Sequence, residues 1–321
     1  MIRFIIKSIS LLLIPVIVLS AQSLNQTNKQ LVIFHAGSLT VPFDHIIEGF
    51  KKENAGIEIL REIAGSRECA RKISELNKPC DIFASADYIV IDQLLIPKFA
   101  EWNLKFATNE MTIVYTSQSR SAKDINQNNW YKLLLNKDIS FGRADPNADP
   151  CGYRTILTMK LSEIFYNQKG LAEKLIEKSK NNIRPKEVDL IALLEAGELD
   201  YIFIYRSIAI QHKLKYLTLP DNVNLKKSEL ENYYGQVSVE LSGKKPGEII
   251  KQSGGSMVYG VTIPNNSSNP ELAKKFITFL MDNQKGLKLL REMGQPTIVP
   301  STCDNYEKLP NEFRKYAKPK R

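Results

Sequence analysis

Histidine and cysteine are scarce in this chain of 321 residues, which has three of the first and four of the second. The histidines, His35, His45 and His212, lie far apart along the sequence, and the cysteine spacings match no zinc motif. The four cysteines are Cys69, Cys80, Cys151 and Cys303. We therefore expect no metal site built from imidazole and thiolate side chains.

Long apolar runs are missing beyond the first 21 residues, so we expect no later segment to span a membrane. At the start, Arg3 and Lys7 precede an apolar run at residues 9–19, and the small residues Ser20 and Ala21 follow. This is the layout of a secretory signal peptide that is cleaved near Ala21. A membrane anchor is the alternative, but the run is short and no basic stop-transfer segment follows it. The sequence predicts export to the periplasm or to the outer face of the cytoplasmic membrane.

Acidic residues are outnumbered, with 35 Asp and Glu against 44 Lys and Arg and a formal net charge of +9. Removal of Arg3 and Lys7 with the signal peptide leaves a net charge near +7. The lysines are scattered along predicted helices and in the tail at residues 315–321, which indicates solvated helix faces and a mild attraction for anions. Nucleic acid is not an expected partner, because nucleic-acid binding would not suit an exported protein.

Export permits disulfide bonds between the cysteines. Residues 69 and 80 are predicted to lie at opposite ends of one helix, roughly 15 Å apart at 1.5 Å per residue, which is too far to bridge. A bridge between Cys151 and Cys303 stays open.

Short apolar runs alternate with amphipathic helical segments, which predicts βαβ units and parallel sheets covered by helices. Strands are expected at residues 31–34, 57–63, 81–86, 111–116, 139–142, 201–205 and 257–263. The pattern restarts after residue 116, and a polar stretch occupies residues 221–255. We predict an α/β fold with two lobes and a ligand cleft between them. The boundaries are a signal peptide at 1–21, a first lobe at 30–116 plus 254–305, an inserted second lobe at 117–253, and a tail at 306–321.

Three predicted strand-to-helix junctions share small or turn-forming residues, at 35–38, 64–66 and 149–153. Gly37 allows close approach of the backbone, Ser38 and Ser66 offer hydroxyl donors, and a helix start offers free N–H groups. Taken singly, each junction is typical of an ordinary turn and N-cap. Two Ala-Gly-Ser junctions within thirty residues favour an anion site.

The same runs carry a resemblance to a known family. They are His35-Ala36-Gly37-Ser38-Leu39, Ala64-Gly65-Ser66, Asp81-Ile82-Phe83-Ala84-Ser85-Ala86-Asp87-Tyr88, Asp149-Pro150-Cys151-Gly152-Tyr153-Arg154, Tyr205-Arg206-Ser207, Gly294-Gln295-Pro296 and Val299-Pro300. The chain resembles the molybdate/tungstate-binding proteins of ABC importers, the WtpA/ModA family, over nearly its whole mature length. The resemblance implies a two-lobed periplasmic-binding-protein fold, type II-like, that closes on its ligand.

The resemblance also implies a function: an exported solute-binding protein captures tungstate or molybdate and passes it to an ABC-transporter permease. No enzymatic activity, no cofactor and a monomer are expected. The resemblance implies oxyanion contacts from Ser38 and Ser66 in one lobe and from the junction at residues 147–149 in the other. Taken together, the resemblance and the chemistry of the three junctions predict a set of oxyanion-binding residues. They are Gly37, Ser38, Ser66, Asn147, Ala148, Asp149 and Tyr205.

In relatives of this kind, an aspartate and a glutamate can add carboxylate oxygens directly to the metal. Asp149 matches the aspartate, but the glutamate position before Tyr205-Arg206-Ser207 is Ile204 here. A carboxylate facing an anion at 4 Å is repelled by about 4 kcal/mol at an effective dielectric of 20 unless it bonds the metal. We therefore predict four- or five-fold coordination, with Asp149 either the one added ligand or a helix cap turned aside.

Other ligands and one other class of function stay open: sulfate or another oxyanion, ferric iron, and an exported hydrolase. Tyr233-Tyr234 resembles the paired tyrosines of ferric-ion binders, yet no acid cluster lies nearby, which favours packing. Cys151 with His35 or His212 is a candidate nucleophile, but no base is oriented toward it. Arg206 is expected to pair with a carboxylate.

Overall fold

A computed structural model describes residues 30–243 and 247–320. The predicted signal peptide at residues 1–21 lies outside the described residues. The strands are β1 (Gln30–Ala36), β2 (Glu58–Ala64), β3 (Ile82–Ser85), β4 (Leu104–Thr108), β5 (Met111–Tyr115), β6 (Phe141–Ala144), β7 (Ile183–Arg184), β8 (Tyr201–Tyr205), β9 (Lys215–Thr218), β10 (Ser238–Ser242), β11 (Ile249–Ser253), β12 (Val258–Thr262), β13 (Ser301–Cys303) and β14 (Ala317–Pro319).

The helices lie mainly between these strands, as the sequence predicts. They are α1 (Thr40–Glu53), α2 (Ser66–Ser74), α3 (Tyr88–Leu94), α4 (Trp130–Leu134), α5 (Pro150–Phe165), α6 (Leu171–Lys178), α7 (Asp189–Glu195), α8 (Arg206–Gln211), α9 (Glu231–Tyr234), α10 (Pro270–Leu280) and α11 (Gly286–Glu292). Short 3₁₀ turns occupy Gly37–Leu39, Ser228–Leu230, Tyr306–Lys308 and Asn311–Tyr316.

Two five-stranded sheets form the two lobes, which confirms the predicted α/β class with two lobes. The first sheet has the strand order β2-β1-β3-β12-β4, and the second has the order β7-β6-β8-β5-β9. Both sheets are mixed rather than wholly parallel. In the first, β12 runs antiparallel to β3 and β4, and in the second, β5 runs antiparallel to β8 and β9.

The strand at Met111–Tyr115 corrects the predicted end of the first lobe. Its place in the sequence predicts the first lobe, but it pairs with β8 and β9 in the second sheet. The first sheet instead uses Leu104–Thr108, which the sequence analysis missed. Only two residues, Asn109 and Glu110, separate these two strands. We therefore propose that the first crossing between the lobes lies at residues 109–110, and that the second lies at residues 254–257 as the chain leaves β11 for β12.

A β-hairpin of β10 and β11 occupies part of the stretch that looks merely polar in the sequence. Its strands pair antiparallel from Ser238 with Ser253 to Ser242 with Ile249. Val239 and Leu241 are buried between exposed neighbours, so the hairpin packs one face only. The alternation of buried and exposed residues is short and lies among polar residues, so the hydrophobic pattern of the sequence does not indicate these strands.

The C-terminal segment packs on the first lobe. Phe313 is fully buried, and its ring lies 5.4 Å from that of Trp102, centroid to centroid. β14 pairs in parallel with β13, and β13 lies beside β4 of the first sheet. Residues 306–320 therefore belong structurally with the first lobe.

All four cysteines are buried free thiols. The predicted helix joining Cys69 to Cys80 is wrong, because α2 ends at Ser74 and Cys80 precedes β3. The Cys80 thiol donates to the carbonyl of Ile82 at 3.1 Å, and Cys303 donates to the carbonyl of Asn103 at 3.4 Å. Across residues 30–243 and 247–320, no helix combines the length and hydrophobicity needed to cross a bilayer.

Candidate binding site

The carboxyl ends of β1, β2 and β3 in the first lobe face the end of β6 in the second, and the lobes touch there. Backbone N–H groups of Arg67 and Glu68, in the first turn of α2, donate to the carbonyl oxygen of Ala148 at 3.1 and 3.2 Å. A Cβ atom on Gly65 would lie 2.3 Å from that oxygen, so only glycine allows this approach. The predicted junctions at 64–66 and 147–149 are thus in direct contact.

Ser38 is held by a relay of hydrogen bonds that leaves its own proton unused. The Tyr259 hydroxyl donates to Ser38 Oγ at 3.2 Å, and Asn109 Nδ2 donates to the Tyr259 hydroxyl at 2.9 Å. Gln295 Nε2 donates to the Ser38 carbonyl at 3.1 Å. Because the hydroxyl oxygen already accepts, the Ser38 O–H is available to donate.

Ser66 repeats this design on the next junction. Its Oγ accepts from the backbone N–H of Ala86 at 2.9 Å, and the residue is fully buried. No side chain caps the start of α2, nor the 3₁₀ turn that begins at Gly37. The site therefore presents two hydroxyl donors, which suit an anion, beside two helix starts without a side-chain cap. At the start of α2, the Ala148 carbonyl already accepts from two N–H groups.

The third junction differs, because a carboxylate caps it. Asp149 Oδ1 accepts from the backbone N–H of Cys151 at 2.8 Å, and Oδ2 accepts from the backbone N–H of Glu187 at 3.0 Å. Burial raises the pKa of Asp149. Pro150 follows in the first turn of α5, as expected of an Asp-Pro helix start. In this structure, Asp149 has the cap geometry that sequence analysis gave as one of two alternatives.

The backbone N–H groups around Asp149 are also engaged. Those of Ala148 and Asp149 donate to the carbonyl of Asp145 at 3.2 and 2.9 Å, and that of Asn147 donates to Asp145 Oδ1 at 2.8 Å. This junction therefore presents the Ala148 carbonyl and side chains to the cleft, and not free backbone N–H groups.

Glu187, which no motif singled out, lies against this group. Its side chain approaches Gly37, where an added Cβ would lie 3.2 Å from Glu187 Oε2. The residue is 1% exposed, and its carboxylate lies next to the Asp149 carboxyl and the Ser38 hydroxyl. Burial and the neighbouring charge of Asp149 raise the pKa of Glu187 well above its usual range. The nearby Ser38 hydroxyl acts in the opposite direction.

A buried ion pair joins the two lobes beside the site. Arg154 Nη2, in α5, lies 3.1 Å from Asp87 Oδ2, at the start of α3, and both side chains are almost wholly buried. Arg154 Nη1 also donates to the Ala86 carbonyl at 2.7 Å, and the Tyr153 hydroxyl donates to Asp87. The Tyr205 hydroxyl accepts from Arg154 Nη1 at 3.3 Å, and burial raises the pKa of Tyr205 well above its usual range.

The β10–β11 hairpin contacts both lobes through Ser242. The Ser242 carbonyl accepts from Arg67 and, at 3.0 Å, from Arg71 Nη2 in α2. The Ser242 N–H and hydroxyl both donate to Asn147 Oδ1, at 2.9 and 3.1 Å. The Asn147 side chain is thereby committed to the hairpin.

The remaining sequence predictions have clear positions in the structure. Ile204 is fully buried in β8 and pairs with Thr112, so it adds no polar group to the cleft. Arg206 pairs with Glu110, Nη1 to Oε1 at 3.5 Å, as predicted. Tyr234 is buried and donates to the Asp221 carbonyl, which agrees with the packing interpretation. Burial raises the pKa of the Cys151 thiol well above its usual range, which is opposite to the activation that a nucleophile needs.

Several groups at the site were missed by sequence reasoning. Asn109, between β4 and β5, and Tyr259, in β12, meet only in the fold, and Gln295 was noted only as part of a run. Glu187 stands among Arg184, Pro185 and Lys186 in a stretch that looks like exposed surface. Nothing local signals that its side chain turns inward.

Comparisons with known proteins agree with this architecture. The family model described as bacterial extracellular solute-binding protein matches residues 31–294. An uncharacterised solute-binding protein of Petrotoga mobilis is 48% identical over 290 residues, covering 90% of each chain. The molybdate/tungstate-binding protein WtpA of Pyrococcus abyssi is 39% identical over 317 residues, again covering 90% of each. Among solved structures, the periplasmic molybdate-binding protein of Azotobacter vinelandii has a TM-score of 0.61 at 16% identity, covering 83% of this chain and 98% of that one.

Proposed function

The chain belongs to the bacterial extracellular solute-binding protein family, and from that membership we propose that it captures tungstate or molybdate outside the cytoplasm for an ABC importer. The relative from Pyrococcus abyssi bears the name of a molybdate/tungstate-binding protein and matches along nine-tenths of the chain. A membrane permease is the partner in this proposal, and the protein acts as an exported monomer.

The observation that carries the choice of an oxyanion is the pair of serine hydroxyls. Ser38 and Ser66 each accept a hydrogen bond from within the first lobe, from Tyr259 and from the Ala86 N–H. Each therefore keeps its own O–H for a ligand, beside a helix start that no side chain caps. Donors of this kind stabilise an anion without a lysine or arginine at the anion itself.

The other predicted site residues have supporting roles in this proposal. Gly37 gives room between the first lobe and Glu187, and Tyr205 holds Arg154 in its ion pair with Asp87. Asn147 and Ala148 keep the two lobes together through Ser242 and through the first turn of α2. Asp149 caps α5 and fixes the backbone of Glu187.

The family is one of solute-binding proteins and not of enzymes, and we propose that capture, not turnover, is the activity. The buried thiol of Cys151 donates to the Phe203 carbonyl at 3.7 Å, and its raised pKa disfavours the thiolate. Its chemistry is that of an inert core thiol.

Thermal unfolding of the mature protein with tungstate, molybdate, sulfate and phosphate tests the proposal. A ligand at a thousand times its dissociation constant adds about 4 kcal/mol to the free energy of unfolding. We expect a large rise in melting temperature with tungstate or molybdate and none with sulfate. A shift with sulfate or phosphate alone would redirect the proposal to that ligand. No shift with any of the ions would contradict it.

A further inference from the structure

We propose that the side chain of Asn109, at the crossing between the lobes, sets the direction of the hydrogen bonds that run through Tyr259 to Ser38, and so makes the Ser38 hydroxyl a donor to the bound anion. This inference rests on the proposed function and deepens it, because it assigns a positioning residue that acts on the anion through two other side chains.

The orientation of the Asn109 amide is the first support. Its Oδ1 accepts from the backbone N–H groups of Glu110 and Ser207, at 3.0 and 3.3 Å. A backbone N–H can only donate, so these two bonds identify Oδ1 as the oxygen and leave Nδ2 on the other side. Main-chain atoms therefore hold the amide in one orientation, and it cannot flip without placing a donor against a donor.

The direction of the hydrogen bonds is the second support. Asn109 Nδ2 has two protons, and it donates to Ser207 Oγ at 2.7 Å and to the Tyr259 hydroxyl at 2.9 Å. The Tyr259 oxygen thus accepts from Asn109, and its own proton goes to Ser38 Oγ at 3.2 Å. Burial raises the pKa of Tyr259, so the hydroxyl keeps that proton. Each group donates to the next, and the last free proton is that of Ser38.

Burial gives this direction its energetic weight. The side chains of Asn109, Tyr259 and Ser38 are all buried, so bulk water does not compete for their bonds. In a low dielectric, aligned hydrogen bonds strengthen one another, and a reversed or unmade bond is costly. The amide at one end of the series therefore decides whether the Ser38 proton points toward the anion or back into the protein.

The place of Asn109 in the chain links this series to closure of the cleft. Residues 109–110 join β4 of the first sheet to β5 of the second. Ser207 lies in α8, which follows β8 of the second sheet, whereas Tyr259 lies in β12 of the first. One amide thus binds a side chain from each lobe. Because rotation of the lobes about this crossing moves the two partners relative to each other, the series is complete only in the closed form.

Calorimetric titration of the wild type, Asn109→Ala and Asn109→Asp with tungstate tests the inference. Asn109→Asp keeps the size of the side chain and the oxygen that accepts from the main chain, but it replaces the donor Nδ2 with an acceptor. Tyr259 then donates to the new carboxylate, and the Ser38 proton turns toward Tyr259. We expect affinity to fall about threefold in Asn109→Ala and about thirtyfold in Asn109→Asp. A merely structural side chain predicts the reverse order, because aspartate preserves more of its contacts.

Ser38→Ala provides the background that shows whether Asn109 acts through Ser38. In this background, neither change at Asn109 should weaken tungstate binding further, since the series no longer ends in a donor. A new negative charge that simply repelled the anion would still lower the affinity there. Asn182→Asp is the matched control and should keep wild-type affinity, because its amide donates to the Phe141 carbonyl, at 3.2 Å, at the end of β6 remote from the cleft.

Melting temperatures without ligand establish that each variant is folded, and Asn109→Ala with and without Ser38→Ala carries the test if Asn109→Asp does not fold. Stopped-flow kinetics gives a second readout. Because the anion enters between open lobes, we expect the loss of affinity to appear as faster dissociation with nearly unchanged association. Slower association as the main change would contradict the link to closure.

The outcomes separate the inference from the proposed function. Equal tungstate affinities in the three proteins, weaker binding by Asn109→Ala than by Asn109→Asp, or equal losses with and without Ser38 would each overturn the role of Asn109 and leave the proposed function standing. Absence of tungstate and molybdate binding in the wild type would instead refute the proposed function. The same variants are then titrated with sulfate or phosphate, whichever the wild type binds, because the donor suits any oxyanion. Binding of none of the four ions would refute both.

Discussion

Gly65 and Ala148 face each other across the cleft so closely that a single methyl group on Gly65 would lie 2.3 Å from the Ala148 carbonyl oxygen. The two residues belong to different lobes, so their contact exists only when the lobes are together. The backbone of Gly65 has φ −61° and ψ 142°, which any residue adopts. Glycine is needed here for proximity and not for conformation.

Gly65→Ala should therefore fold normally but fail to close. We expect its affinity for tungstate to fall by at least about a hundredfold, since the clash involves backbone atoms that cannot rotate away. Without ligand, its melting temperature should match that of the wild type. Gly235→Ala is the control, because its Cβ would meet its nearest atoms at 3.4 and 3.7 Å. Wild-type affinity in Gly65→Ala would contradict the closed arrangement.

The ion pair between Arg154 and Asp87 should be coupled to ligand binding. Arg154→Met leaves Asp87 buried without its cation in the closed form, a change that typically costs about 3–5 kcal/mol. We expect a loss of tungstate affinity of more than tenfold, and partial recovery in the double variant Arg154→Met with Asp87→Asn. A double-mutant cycle on the dissociation constants measures this coupling. Lys180→Met, which breaks an exposed pair with Glu177, should leave affinity unchanged.

Tyr259→Phe tests the relay that orients Ser38. The change removes the donor to Ser38 Oγ and the acceptor for Asn109 Nδ2, so the Ser38 hydroxyl can turn away from the ligand. We expect tungstate affinity to fall about tenfold, the effect of a hydrogen bond worth about 1.4 kcal/mol. Tyr234→Phe makes the same chemical change at a hydroxyl bonded to Asp221 and Lys227, and should alter stability alone. Equal affinities in the two variants would rule out the relay.

His35 should make the fold sensitive to acid. The imidazole is buried and packs on Phe43. A hydrogen bond between its Nδ1 and the Ala36 carbonyl, at 2.8 Å, fixes its orientation. Burial lowers its pKa from 6.5 to about 4. The fold favours the neutral imidazole. The contribution of His35 to the free energy of unfolding is therefore complete above pH 6.5 and is lost as the pH falls toward 4. At 1.36 kcal/mol per unit, the loss is about 3 kcal/mol.

The comparison of His35→Leu with the wild type isolates this effect, because the oppositely shifted carboxyls of Asp149 and Glu187 are present in both proteins. We expect the free energy of unfolding of the variant to fall less between pH 7 and pH 4, as measured by denaturant titration. His45→Gln changes an exposed histidine and should follow the wild type. Parallel pH curves for His35→Leu and the wild type would show that His35 does not titrate in the fold.

Features that depend on local chemistry were predictable from the sequence. Asp149-Pro150 marks the start of α5 through an N-cap and a proline that needs no donor partner, and Gly197 follows α7 with φ 76°. The two Ala-Gly-Ser junctions likewise follow strands, as their small residues suggest.

Features that depend on distant pairing were not predictable. Met111–Tyr115 reads as a strand, but only its partners β8 and β9 reveal its sheet. The hairpin at Ser238–Ser253 and the buried side chain of Glu187 were unpredictable for the same reason, because burial of a polar segment depends on what packs over it. The sequence identified most of the junctions but not the carboxylate that lies between them.

The Ser242 contacts also affect how long a bound anion stays in the cleft. The hairpin that carries Ser242 joins Arg71 of the first lobe to Asn147 of the second, so a captured anion leaves only after these bonds and the Ala148 contact have broken. Its residence time is then governed by the rate at which the lobes part, and not by the strength of its own hydrogen bonds. Release of the anion then depends on whatever separates the two lobes.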